Sequence, residues 1–182
     1  MSIALIGQEC SGRHTVLNEL LTMGYDTIRY YTTTPDYGYD NNYHISDKEF
    51  CEMIDSEQFL YWEAFETNDG INYIGTKYSD YAGGNKVVIV EDMAKLHTLV
   101  SYFPEFKSIY LKVDKHEINN RIMSIYTTKD AVKKVKKRNK KLKARNQGME
   151  TLADCIVDNY GRLPYQTAVI SQVVWSRVGE KD

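Results

Sequence analysis

The stretch "GQECSGRHT", Gly7 to Thr15, follows the apolar run Ser2-Ile3-Ala4-Leu5-Ile6 and decides the fold. A short, continuous apolar run reads as a strand buried on both faces. The residues after Thr15 read as a helix from about Gly12 to Met23, because Val16, Leu17, Leu20 and Leu21 share one face and Gly24 is placed to end it. Between them, Gly7 and Gly12 enclose four residues, the frame of a phosphate-binding loop. Backbone amides at the start of a helix surround an anion with donors and with the positive end of the helix dipole. The residues that should complete the motif are altered. Arg13 stands where a lysine is expected, His14 where a serine or threonine is expected, and Cys10 where a third glycine is often found. Arginine keeps a cation but spreads it over a planar fork. Thr15, one position on, keeps a hydroxyl. Read alone, this segment is better taken as a glycine-containing strand-to-helix turn with no ligand.

Further strands are predicted at Lys86–Val90, at Ser108–Val113 after the Pro104 turn, and at Cys155–Val157. Helical patterns lie around 93–102, 115–124 and 165–172. Strands alternating with helices imply an α/β domain with a parallel sheet covered on both faces. Two stretches break that rhythm. Residues 25–81 hold ten of the 15 tyrosines and the turn-rich "TTTPDYGYDNN", which reads as an inserted lobe. Lys129 to Arg145 holds ten basic residues and one acid, Asp130, a charge of +9 in a chain of −2, so the remainder carries −11. A phosphate or polyanion partner for the segment and a solvated helix face stand about even. The acidic remainder disfavours nucleic acid as partner.

The 182 residues, 42% hydrophobic and 26% charged, suit one soluble domain. No apolar run approaches the ~18 residues of a membrane helix, and the N-terminus lacks the pattern of a signal peptide, so no membrane partner and a cytoplasmic location are expected. Cys10, Cys51 and Cys155 are an odd, scattered set without metal-ligand spacing. His14, His44, His97 and His116 show no HExxH-like spacing, so a protein-built metal site is not expected.

Downstream segments give the loop a context. In order come Thr32-Thr33-Thr34-Pro35, Tyr43-His44-Ile45-Ser46, Glu49-Phe50, Phe59-Leu60-Tyr61-Trp62-Glu63 and Tyr73-Ile74-Gly75-Thr76. Val88-Ile89-Val90-Glu91-Asp92-Met93, Arg121, the basic stretch and Asp154-Cys155-Ile156-Val157-Asp158-Asn159 follow. From about residue 3 to 160 this order resembles the guanylate kinase family. The resemblance implies a P-loop NTPase-type parallel sheet flanked by helices, within a single domain spanning 1–182. Its core covers about 1–29, 86–124 and 150–182, its inserted NMP-binding lobe about 30–85, and its basic lid about 125–149. It implies a nucleoside monophosphate kinase that transfers the ATP γ-phosphate to GMP or another (d)NMP with Mg²⁺. A catalytically impaired nucleotide- or protein-binding relative is the alternative, and a homo-oligomer stays open.

The resemblance also assigns residues. Gly7, Cys10, Ser11, Gly12, Arg13, His14 and Thr15 hold the donor phosphates. Arg13, Arg121, Lys137 and Arg138 clamp the transferring group. Tyr43 contacts the acceptor phosphate, Thr76 the acceptor, and Asp92 the acceptor base and the metal, the latter with Thr15 and through water. The family's two substrate-phosphate arginines fall near Thr34 and Asp36, which leaves Arg29 as the nearby cation. Its guanine-reading glutamate falls at Tyr61, which leaves Glu63, two residues on and on the same strand face, to take over.

Overall fold

The computed structural model describes residues 1–35, 41–67, 70–145 and 148–179. Asp36 lies outside the described residues.

In chain order the elements are β1 (Ser2–Ile6), α1 (Arg13–Thr22), β2 (Asp26–Thr27), β3 (Tyr30–Thr32), β4 (Asn42–His44), α2 (Asp47–Asp55), β5 (Phe59–Thr67), β6 (Gly70–Lys77) and α3 (Tyr78–Tyr81). They continue with β7 (Lys86–Ile89), α4 (Met93–Tyr102), β8 (Phe106–Lys112), α5 (Lys115–Ile125), α6 (Lys129–Arg145), α7 (Met149–Leu152), β9 (Cys155–Asp158) and α8 (Pro164–Gly179). The chain divides into two compact units, one of Met1–Tyr25 with Val87–Asp182 and one of Asp26–Lys86.

The first unit is built on a parallel sheet in the order β7-β1-β8-β9. All five residues of β1 are buried, as the unbroken apolar run requires. Ile3 and Leu5 pack with Val16 and Leu20 of α1, Val87, Ile109, Leu111, Val157 and Ala168 of α8. Each such large aliphatic side chain contributes about 1.5–3 kcal/mol on burial. Polar ties hold flanking segments to the sheet. The backbone N–H and Oγ of Ser108 both donate to Asp154 Oδ2 at 2.7 Å, and Trp175 Nε1 donates to Ser2 O at 2.9 Å.

The second unit is a four-stranded sheet in the order β4-β3-β6-β5, with β3 parallel to β4 and antiparallel to β6. Helix α2 starts with a capping box, Ser46 and Glu49 exchanging side-chain and backbone bonds. It buries Phe50, stacked on Phe59 at 4.5 Å and on Tyr73 at 5.4 Å between centroids. Gly75 permits that packing, since a Cβ there would stand 2.8 and 2.9 Å from Phe59 ring carbons and 3.1 Å from Trp62 Cβ. Gly75→Ala is therefore expected to destabilise this unit by about 1–3 kcal/mol through overpacking, read as a lower urea midpoint by Trp62 emission. An unchanged midpoint would show that the aromatic layer yields freely.

Candidate active site

The turn from β1 into α1 is a set of backbone conformations that few side chains adopt. Gly7, Cys10 and Gly12 have φ of 151°, 65° and 93°, the last two in the left-handed region. Gly12 is the N-cap of α1 and makes no side-chain cap bond. The amides of the first turn of α1 thus have no capping side chain, the state in which a helix start receives an anion.

The loop is braced through its carbonyls. Asn159 Nδ2 donates to Ser11 O at 2.7 Å, and Asn159 Oδ1 accepts from Thr167 Oγ1 at 2.7 Å. Arg121 Nη1 donates to the carbonyls of Cys10 (3.4 Å) and Ser11 (3.3 Å), and its Nη2 to Asn159 O at 2.7 Å. Its Nε donates to Glu117 Oε1 at 2.8 Å. Arg121, expected as a phosphoryl clamp, has all three guanidinium nitrogens engaged with protein acceptors and stands as a brace of the loop.

Arg13 is 6% exposed and lies 3.7 Å from Glu91 Oε1 through Nη2, while its Nη1 is buried without a partner. Ser11 Oγ is buried without a partner as well, and Gly7 leaves it room, since a Cβ on Gly7 would stand 2.7 Å from it. A buried, partnerless guanidinium nitrogen and hydroxyl are costly in isolation. Desolvation first and Arg13 second hold the His14 imidazole below its ordinary range, so it adds no positive charge at neutral pH. Burial raises the Cys10 thiol above the usual value, with Glu9 adding to it, which leaves it a poor nucleophile. Thr15 is exposed on the first turn of α1.

Glu9 meets the basic helix. Arg138 Nε donates to Glu9 Oε2 at 2.6 Å, Arg138 Nη2 donates to Oε1, and Tyr126 Oη donates to Oε1 at 3.2 Å. Lys137 is exposed on α6. The strand predicted at Lys86–Val90 is β7, which ends at Ile89, three residues before Asp92. Asp92 is instead the buried N-cap of α4, accepting from Lys95 N–H at 2.9 Å. Its short carboxylate competes better for the helix amide than for a strand position, the usual preference of aspartate.

The second unit carries the remaining assigned residues. Tyr43 is exposed on β4, its ring edge-on to Tyr31 at 5.7 Å. Tyr61 and Glu63 share a face of β5, and Tyr61 Oη donates to Glu63 Oε2 at 2.7 Å. Thr34 N–H donates to Thr32 Oγ1 at 3.2 Å. Arg29 bears on Tyr31 and on Asp80, whose carboxyl is raised above its ordinary range by burial and lowered in part by Arg29. Thr76, 4% exposed, shares a 3.0 Å hydrogen bond with Tyr81.

Burial pushes the Tyr81 hydroxyl up to about 12. Its unfolded value is near 10, so the stabilisation is complete below pH 10 and is lost as pH rises through 12, a fall of about 2–3 kcal/mol. Urea unfolding at pH 9 and pH 12 is expected to show that fall, and Tyr81→Phe to flatten it. An equal slope in both proteins would assign the loss elsewhere.

Sequence reasoning missed Glu9, Glu91, Asn139 and Asn159. An acid within a loop meant for phosphate was itself the available signal for Glu9.

No protein-family model matches the chain. Among curated proteins, a guanylate kinase of Prochlorococcus marinus subsp. pastoris is 30% identical over 135 residues, covering 70% of this chain and 73% of the relative. A guanylate kinase of Prochlorococcus marinus strain MIT 9312 is 31% identical over 144 residues, covering 72% and 76%. Among solved structures, guanylate kinase from Anaplasma phagocytophilum aligns with a TM-score of 0.56 at 15% identity, covering 97% of this chain and 85% of that one. A gluconokinase from Sinorhizobium meliloti aligns at 0.54 and 12% identity, covering 99% and 94%. The structural likenesses show an α/β fold of P-loop type.

Proposed function

The chain belongs to the guanylate kinase family, and on that premise we propose that it transfers the γ-phosphate of ATP to GMP or another (deoxy)nucleoside monophosphate. The observation that carries the reading is the start of α1: a helix without a side-chain cap, entered through left-handed Cys10 and Gly12, with Arg13 Nη1 and Ser11 Oγ buried and partnerless beside it. That arrangement supports binding of a phosphate, whose oxygens would satisfy both groups and the orphan amides.

In this reading Gly7 and the residues from Cys10 to Thr15 hold the donor phosphates. Arg13 neutralises charge that develops on the transferring group, joined by Arg138 and Lys137 from α6, while Arg121 and Asn159 keep the loop in shape. Such chemistry needs positioning and charge neutralisation rather than a covalent intermediate. Mg²⁺ suits the oxygen donors present, the Thr15 hydroxyl and the Asp92 carboxylate, acting through water as this ion commonly does. When bound, it would neutralise the donor phosphates.

The second unit is the proposed acceptor lobe, and residues 125–149 the proposed lid. Arg29 supplies a cation where Thr34 and Asp36 supply none, with Tyr43 at the acceptor phosphate. Within this unit the Tyr61–Glu63 pair and Thr76 face the base. The absence of a cation at Thr34 and the tyrosine at position 61 favour an acceptor other than, or in addition to, GMP.

A coupled ADP-release assay across all ribo- and deoxynucleoside monophosphates tests the proposal, with turnover expected for at least one. A second reading, a binding protein without turnover, is favoured by one observation. Arg13, Arg121 and Arg138 each stand by a carboxylate, Glu91, Glu117 and Glu9 respectively. Calorimetric binding of ATP with no turnover on any acceptor would select it.

A further inference from the structure

Two residues of the loop depart from what a phosphate site alone calls for: an acid at Glu9 and, at Cys10, a non-glycine in a left-handed conformation. Both meet α6 and Tyr126. The Glu9 carboxylate takes two donors from Arg138 and one from Tyr126 Oη. Its backbone is held too, since Glu9 N–H donates to Asn139 Oδ1 at 3.2 Å and Asn139 Nδ2 donates to Glu9 O at 3.4 Å. The next side chain, Cys10, packs into the apolar cluster of Ile118 and Ile122 from α5 and Val132 and Val135 from α6, with Val113 and Tyr126. On α6, Val132, Val135 and Asn139 recur at three- and four-residue spacing, so one stripe of this basic helix meets the loop and α5.

We propose that Glu9 and Cys10 are positioning residues that dock the basic helix α6 on the phosphate loop, with Glu9 serving as the internal counter-anion of Arg138 until a polyphosphate replaces it there. This rests on the reading of the loop as the donor site. Cys10 provides an apolar anchor that persists, and Glu9 a polar latch that an anion can exchange. The exchange conserves charge pairing, because Arg138 passes from one anion to another. The strained cysteine and the acid therefore share one explanation. Glu9 is 15% exposed and Arg138 61% exposed, so the latch is partly screened by water and is weak enough to be displaced.

Two measurements on the full chain test the proposal: hydrogen exchange of the 129–145 segment, and calorimetric binding of inorganic tripolyphosphate. Glu9→Gln is expected to speed exchange of the segment about three- to fivefold, the scale of a partly exposed ion pair. The effect should vanish in an Arg138→Gln background, while Lys140→Gln leaves the exchange unchanged. Glu9→Gln should also bind tripolyphosphate about three- to tenfold more tightly, because Arg138 is freed of its competitor, whereas Arg138→Gln should bind it more weakly. A merely structural role would loosen the site and could not tighten it. Wild-type exchange in Glu9→Gln, or an equal effect in both backgrounds, would overturn the docking role. Binding by Glu9→Gln no tighter than wild type would overturn the competition. If neither protein binds tripolyphosphate, the donor-site reading fails, and the exchange measurement still decides the docking.

Discussion

Replacing Arg13 by glutamine is expected to lower kcat/KM for phosphoryl transfer about 100- to 1000-fold, the scale of losing one preorganised cation at a developing charge. The melting temperature should stay level or rise. Arg13 is almost fully buried, with Nη1 lacking any partner, and the acid beside it, Glu91, is half exposed. Removing the guanidinium therefore relieves a buried nitrogen that lacks a partner. Loss of rate with no loss of stability is the mark of a group retained for function. Steady-state kinetics and calorimetry on the same preparation check it. A variant that transfers phosphate at the wild-type rate would remove Arg13 from the chemistry. One that melts well below wild type would make it a structural residue.

Gly12→Ala is expected to abolish anion binding and to cost about 3 kcal/mol. Part is backbone strain, since φ is 93° at this position and an alanine there costs about 1–2 kcal/mol. The rest is collision: the new Cβ would stand 2.6 Å from Asn159 Nδ2. That amide is buried and holds Ser11 O, and its oxygen takes the Thr167 hydroxyl. Moving it leaves buried groups unsatisfied at about 1–3 kcal/mol. For a chain of this length the melting temperature should fall by about 6–12 °C, with tripolyphosphate binding lost. A shift of less than about 1 °C with binding retained would show that the loop tolerates a side chain at its last turn.

The scaffold around the loop was legible because it rests on local signals. An unbroken apolar run makes β1 a buried strand, and glycines at both ends of the loop permit its turn. Val16 and Leu20 then commit α1 to the core. The boundaries moved where local signals compete. β8 begins at Phe106 rather than Ser108 because Phe106 is itself buried after the turn. α8 runs to Gly179 rather than to 172, since Val173, Val174 and Trp175 read equally as strand residues. Apart from the Tyr61–Glu63 segment, the strands of the second unit were hidden for another reason. Their tyrosines, threonines and asparagines face α2 or water by cross-strand register, which no single segment reveals.

The site was half legible. Its cations show in the sequence as residue types, but their partners depend on pairings far apart in the chain, such as Glu9 with Arg138. Only the Arg121–Glu117 pair, four residues apart on one helix, was open to local reading. The helix-capping role of Asp92 was not open to local reading because it depends on where α4 begins.

Label transfer tests the central claim most directly: [γ-32P]ATP, Mg²⁺ and each nucleoside monophosphate in turn with the full chain, products separated by chromatography. The account predicts label in the diphosphate of at least one acceptor, lost in Arg13→Gln. Label released only as inorganic phosphate, or retained wholly in ATP with every acceptor, would contradict it.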